Sequence, residues 1–203
     1  MSHVRKVTYS MGMSLDGFIV GPDGDFQWTV PEPALFQMSI DEVKDVGVHL
    51  LGRRLYETML YWEDVADAPS LDAQEREWTD LWNALPKVVF SRTLTGVVPS
   101  ARLATGGLAE EIARLRAEEG EGDIAIGGAD LAAQAADLDL IDEYLVRVFP
   151  VLVGGGTPFF ALHGRRVDLE LVETRTFGSG VVFVHYRVRR DADGATTRTP
   201  TIS

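Results

Sequence analysis

The chain has no cysteine among its 203 residues, which excludes disulfides, thiolate nucleophiles and cysteine-based metal sites. Positive charge is also scarce: 19 lysines and arginines against 31 aspartates and glutamates leave a formal charge of −12. Such a surface repels nucleic acid and anionic membrane, so neither is an expected partner. No apolar run approaches the roughly 20 residues of a membrane span. The opening Met1-Ser2-His3-Val4-Arg5-Lys6 leads into a strand-like run without the apolar core of a signal peptide, and a cytoplasmic location is expected. The four histidines, His3, His49, His163 and His185, form no His-x-x-x-His or Glu-x-x-His pair, so no metal site is expected. Ser10, Ser14 and Ser91 lack the context of a nucleophile elbow, which leaves a hydrolase unsupported. No Gly-x-Gly-x-x-Gly follows the first strand-like run, which argues against an ordinary Rossmann domain.

What is present suits one domain. Apolar residues make up 45% and charged residues 25%, and the length supports a full hydrophobic core. Strand patterns fall at Val4 to Met13, Phe18 to Val20, Val46 to Leu51, Lys87 to Phe90, Asp123 to Ile126 and Glu143 to Val153. Helical periodicity falls at Leu35 to Val43, Arg54 to Leu60, Leu71 to Leu85, Leu108 to Glu119 and Ala129 to Asp137. Val167 to Thr176 and Val181 to Val188, joined by Phe177-Gly178-Ser179-Gly180, read as a closing hairpin. Strands alternating with helices and ending in a hairpin predict an α/β fold, with a mostly parallel sheet and antiparallel strands at its C-terminal end. The domain is expected over 1–190, followed by a disordered tail at 191–203.

Three segments follow strand patterns and carry glycine or arginine: Gly52-Arg53-Arg54, Ser91-Arg92 and Gly127-Gly128-Ala129-Asp130-Leu131. The first and third run directly into helices. A helix that starts at a strand end leaves unpaired N–H groups directed at one spot, and that spot favours phosphate. Together the segments outline a dinucleotide site. The arginines also have an ordinary reading as solvated surface charge.

With these residues in view, the chain resembles the dihydrofolate reductase superfamily, and within it the group related to the RibD C-terminal reductase domain. The resemblance covers most of residues 4 to 189. It rests on Met13-Ser14-Leu15-Asp16-Gly17-Phe18-Ile19, Leu51-Gly52-Arg53-Arg54-Leu55-Tyr56-Glu57, Val89-Phe90-Ser91-Arg92, Ile126-Gly127-Gly128-Ala129-Asp130-Leu131 and Pro150-Val151-Leu152-Val153-Gly154-Gly155-Gly156. It implies a dihydrofolate reductase-like three-layer sandwich and NADPH as cofactor. By the same resemblance, Gly52, Arg53 and Arg54 lie under one side of the phosphates, and Ser91 and Arg92 meet the 2′-phosphate and adenine end. Gly127, Gly128, Ala129, Asp130 and Leu131 approach the pyrophosphate from the other side.

The chain departs from the superfamily at two points. Leu55 stands where a Thr or Ser is usual, and Pro33, beside Glu32, stands where dihydrofolate reductases place the acid that pairs with the pterin. Asp16 and Glu32 are the candidate catalytic acids. Each has a plainer alternative: Asp16 closes a turn, and Glu32 is a solvated acid in a helix's first turn. The implied reaction is hydride transfer to a small heterocycle such as a pterin, a flavin precursor or a ribosylamino-uracil. A non-catalytic binder of a nucleotide or heterocycle on the same fold is the alternative. Related proteins are often dimers, and the Glu143 to Val153 strand and the Trp78–Trp82 helix face offer apolar surface for a homodimer.

Overall fold

The computed structural model describes residues 5–118, 120–160 and 166–190. His3, His163, the end of the expected helix at Glu119 and the expected tail at 191–203 lie outside the described residues.

Eight strands form one sheet: β1 (Val7–Ser14), β3 (Val46–Gly52), β4 (Lys87–Phe90), β5 (Ala101–Leu103), β6 (Asp123–Gly127), β7 (Glu143–Phe149), β9 (Leu169–Thr176) and β10 (Val182–Val188). Their order is β5-β4-β3-β6-β1-β7-β10-β9. The first six in that order pair in parallel, whereas β10 is antiparallel to both β7 and β9. Two further strands, β2 (Phe18–Val20) and β8 (Thr157–Pro158), form a separate antiparallel ribbon.

The apolar runs of the central strands are explained by burial on both faces, as parallel sheets require. Val48 and Leu50 of β3, with Ile124 and Ile126 of β6, pack in one cluster with residues of α5 (Leu108–Ala117) and α6 (Ala129–Asp137). Leu51 of β3 and Val89 of β4 pack in a second cluster with residues of α1 (Pro33–Lys44), α2 (Arg53–Met59) and α4 (Ala73–Ala84). The short α3 (Tyr61–Asp64) follows α2 directly. Helices on both sides of one sheet give the three-layer sandwich that the resemblance implies.

Local signals account for the element ends. Pro33 occupies the first turn of α1, where its missing N–H has no cost. Asp72 and Glu75 form a capping box at the start of α4, so this helix begins later than the periodicity from Leu71 suggests. The strand expected over Glu143 to Val153 stops at Phe149 because Pro150 has no N–H for the ladder and Val151 N–H turns back to Phe149 O. Strands β5 and β8 escaped the sequence reading, since three and two residues are too few to show a period.

The two suggested dimer surfaces are used inside the protomer. β7 lies between β1 and β10. Trp78 stacks on Trp82 at 5.9 Å and also meets Phe36 and Trp62 in an aromatic array between α1, α3 and α4. Trp62 is therefore held within that array, while Trp28 packs edge-on against Phe149.

Candidate functional site

The three glycine- and arginine-bearing segments meet at the carboxyl ends of adjacent strands. Gly52 is level with Phe90 across β3 and β4, and Leu51 is level with Gly127 across β3 and β6. Ser91 and Gly128 each follow one residue later.

The β3 and β6 exits approach closely. Gly128 has φ +101°, a conformation L-residues rarely adopt, and a Cβ placed there would lie 3.8 Å from the Gly52 nitrogen. A Cβ on Gly127 would come within 2.6 Å of Leu55 Cδ2 and 2.7 Å of His49 Cε1. Leu55, the departure from the usual hydroxyl, thus packs over Gly127. Neither Gly52 nor Gly128 supplies a side-chain cap, so the first-turn N–H groups of α2 and α6 are left for other acceptors.

The remaining expected cofactor residues divide by their partners. Arg53 pairs with Glu57 at 3.1 Å along the face of α2. Arg54 and Arg92 are exposed and have no ion-pair partner among the described residues. The Ser91 hydroxyl accepts from Thr93 N–H at 3.1 Å and Leu94 N–H at 3.0 Å, which shapes the loop that carries Arg92. Asp130 is exposed, whereas the Leu131 side chain is buried in the core, so only its backbone faces the helix start.

Asp16 lies on the turn after β1. Its Oδ1 accepts from the Ser14 hydroxyl at 2.5 Å and from Val153 N–H, and its Oδ2 accepts from Gly154 N–H at 2.7 Å. The Ser14 bond foremost, with the two backbone donors, holds its carboxyl below the usual range. Asp16 therefore pins the loop after β7 to the loop after β1. In that pinned loop, Gly154, Gly155 and Gly156 all have positive φ, and a Cβ on Gly156 would meet Val20 O at 2.0 Å.

Glu32 immediately precedes α1. Its carboxylate accepts from Gly178 N–H at 3.1 Å and Ser179 N–H at 2.9 Å. It thus binds the turn between β9 and β10, a contact 146 residues away in sequence.

His49, on β3, has its Nδ1 buried without a hydrogen-bond partner among the described residues, and its ring edge meets Trp82 at 5.3 Å. Burial pushes its pKa down to about 4. It is neutral at pH 7 and packs between Trp82 and the Gly127 backbone. Across the same strands Lys87 donates to Trp82 O, Leu85 O and Ser100 Oγ, and burial lowers its pKa to about 8. Lys87 thereby caps the end of α4, a role that its position in an apolar strand did not signal.

Among the described residues no helix is long and apolar enough to cross a membrane, and no group of three or more His, Asp or Glu side chains is arranged to hold a metal ion.

The mostly parallel sheet, with glycine exits and exposed arginines at its strand ends, is an α/β arrangement, and α/β sheets as a class place ligands beyond the carboxyl ends of their strands. The family model for the RibD C-terminal domain matches residues 5–183, and the chain belongs to that family. The uncharacterized protein YyaP of Bacillus subtilis (strain 168) is 30% identical over 182 residues, covering 90% of this chain and 94% of YyaP. Among solved structures, a candidate riboflavin biosynthesis protein from Shewanella sp. PV-4 superposes with a TM-score of 0.72 at 24% identity, over 91% of this chain and 99% of that one. The Thermotoga maritima diaminohydroxyphosphoribosylaminopyrimidine deaminase/5-amino-6-(5-phosphoribosylamino)uracil reductase gives a TM-score of 0.62 at 15% identity, over 91% of this chain and 57% of that one. At these identities the likeness establishes the fold.

Proposed function

We propose that the protein is an NADPH-dependent reductase that delivers hydride to a C=N or C=O bond of a small heterocycle, in the class of a ribosylamino-uracil, a pterin or a flavin precursor. The observation that carries this reading is the close approach of the Gly52 and Gly128 backbones, flanked by Arg54 and Arg92 without ion-pair partners among the described residues. Gly127 and Gly128 allow a pyrophosphate to approach the backbone, and the first-turn N–H groups of α6 supply donors. Arg54 adds charge beside the phosphates, and Arg92 faces the 2′-phosphate end. Family membership and the reductase among the structural neighbours support the same reading.

The nicotinamide, when bound, supplies the hydride. This chain's residues position the partners and exclude water. Asp16 is held ionised by its donors, and Glu32 is engaged elsewhere, both its oxygens accepting backbone N–H groups of the β9–β10 turn. Water is the proton source in this reading.

Titration with NADPH and NADH, followed by a screen of heterocycles for NADPH oxidation, tests it. Selective NADPH binding with turnover supports the proposal. Absence of binding to either nucleotide refutes it. A second reading, a binder that performs no reduction, is favoured by one observation: Glu32 is committed to the β9–β10 turn and Pro33 replaces the pterin-pairing acid. NADPH binding without turnover on any heterocycle would select that reading.

A further inference from the structure

A cleft of about 780 Å³ opens at the opposite end of the sheet from the glycine exits. It lies beside the start of β1, the start of β7, the end of β10 and the last turn of α5. The eight residues of β1 separate it from the carboxyl edge, about 25 Å at the strand rise per residue.

Charge in this cleft runs against the rest of the molecule. Two acids at its floor are each bracketed by two cations. Asp142 pairs with Arg116 at 2.6 Å and Arg190 at 2.5 Å. Glu143 pairs with Lys6 at 3.2 Å and Arg187 at 3.1 Å, and also meets His185 at 3.0 Å. Burial by itself would raise the Glu143 pKa, but the bonds from His185, Lys6 and Arg187 outweigh it and hold the carboxylate ionised. Arg5 donates to the carbonyls of Gly122 and Leu115 and neutralises no carboxylate among the described residues. Arg189 is exposed and has no side-chain partner among them. Counting Glu170 as the third acid, six cations face three carboxylates, a local excess of three positive charges on a chain whose formal charge is −12.

The floor pairs hold Lys6, Arg116, Arg187 and Arg190 in place while leaving donors over. Arg187 uses its Nε for Glu143, and its terminal nitrogens have no partner among the described residues. Fixed guanidinium groups with spare N–H donors match the oxygens of phosphate, whose charge-assisted bonds are the strong ones. The volume of the cleft, about 780 Å³, exceeds what a single phosphate fills.

We propose that this cleft is a second anion site, which binds a small molecule bearing two or more phosphate groups independently of the carboxyl-edge crevice. Arg187 and Arg189 contact the ligand, while Arg116, Arg190 and Lys6, each paired to a floor acid, add to the field.

The test is calorimetric titration of the full chain with inorganic pyrophosphate at low ionic strength. It uses the wild type, Arg189→Glu, the double variant Arg187→Gln/Arg189→Glu, and the opposite-edge variant Arg54→Glu/Arg92→Glu. Inorganic pyrophosphate also fits the carboxyl-edge crevice, so the site is read from the saturable binding that is retained in the opposite-edge variant; a component of binding that weakens at least about tenfold in the double variant and partway in Arg189→Glu supports the site. NADPH titration of the same four proteins reports the other crevice, so loss of NADPH binding alone leaves this result intact. Absence of saturable pyrophosphate binding, equal binding in the double variant, or loss only in the opposite-edge variant overturns the proposal. Arg189→Glu changes one exposed side chain and keeps the test readable if the double variant unfolds.

Discussion

The backbone of Gly52, at the end of β3, lies against Gly128, at the end of β6, with 3.8 Å between the Gly52 nitrogen and the position of a Gly128 Cβ. Gly128 reaches this contact through a φ of +101°. Gly128→Ala forces an L-residue into that conformation, at a cost of about 1–3 kcal/mol. The expected result is a melting temperature lower by several degrees and weaker NADPH binding, read by thermal denaturation and titration. Unchanged values for both would remove Gly128 from the site.

Arg92 projects from the loop shaped by Ser91 and has no ion-pair partner among the described residues. If it meets a 2′-phosphate, Arg92→Glu removes at least one charge-assisted hydrogen bond and adds repulsion, weakening NADPH binding about tenfold or more. NADH has no group at that place and loses far less. The ratio of the two dissociation constants is the readout, and equal weakening takes Arg92 out of the 2′-phosphate role.

Asp16 holds Val153 and Gly154 by their N–H groups. Replacing it with alanine frees both amides, and their hydrogen exchange accelerates while exchange in the centre of β6 stays slow. A conservative Asp16→Asn keeps one carbonyl acceptor and gives an intermediate effect. Unaltered exchange at both amides in Asp16→Ala would show that the loop is held by other contacts.

His49 carries a pH dependence. Its folded pKa of about 4 lies below the unfolded value of 6.5, because burial disfavours the imidazolium. The unfolded chain therefore takes up a proton first as pH falls. The stability linked to neutral His49 is complete above pH 6.5 and is lost between pH 6.5 and about 4, up to about 3 kcal/mol in all. Denaturant unfolding of the wild type and His49→Leu across this range isolates the effect, since the carboxylates are common to both. The difference between the two proteins shifts toward the variant as pH falls. Parallel curves would show that His49 does not titrate in this way.

Much of the fold was legible because it rests on local rules. The apolar runs of β3, β4 and β6, the periodicity of α5 and α6, and the glycine turn between β9 and β10 are each written within about a dozen residues. The glycine and arginine segments were legible for the same reason, as strand exits carrying the residues that phosphate binding uses. Contacts between distant residues were not legible. Glu32 sits beside the expected catalytic position in sequence, yet its partners Gly178 and Ser179 belong to the closing hairpin. Glu143 reads as the start of a strand and Asp142 as the residue before it, but folding surrounds them with Arg116, Arg190, Lys6 and Arg187.

From sequence alone, then, came the α/β class, the sequence of elements along the chain and the residue types available at each strand end, because burial and backbone freedom act on neighbours in the chain. Tertiary structure decided which strand ends are adjacent, that Gly52 faces Gly128, that Asp16 and Glu32 act as clips for remote backbone, and that surplus positive charge collects at the far end of the sheet. Those outcomes depend on strand order, and strand order is set by how the helices cover both faces of the sheet rather than by any single segment.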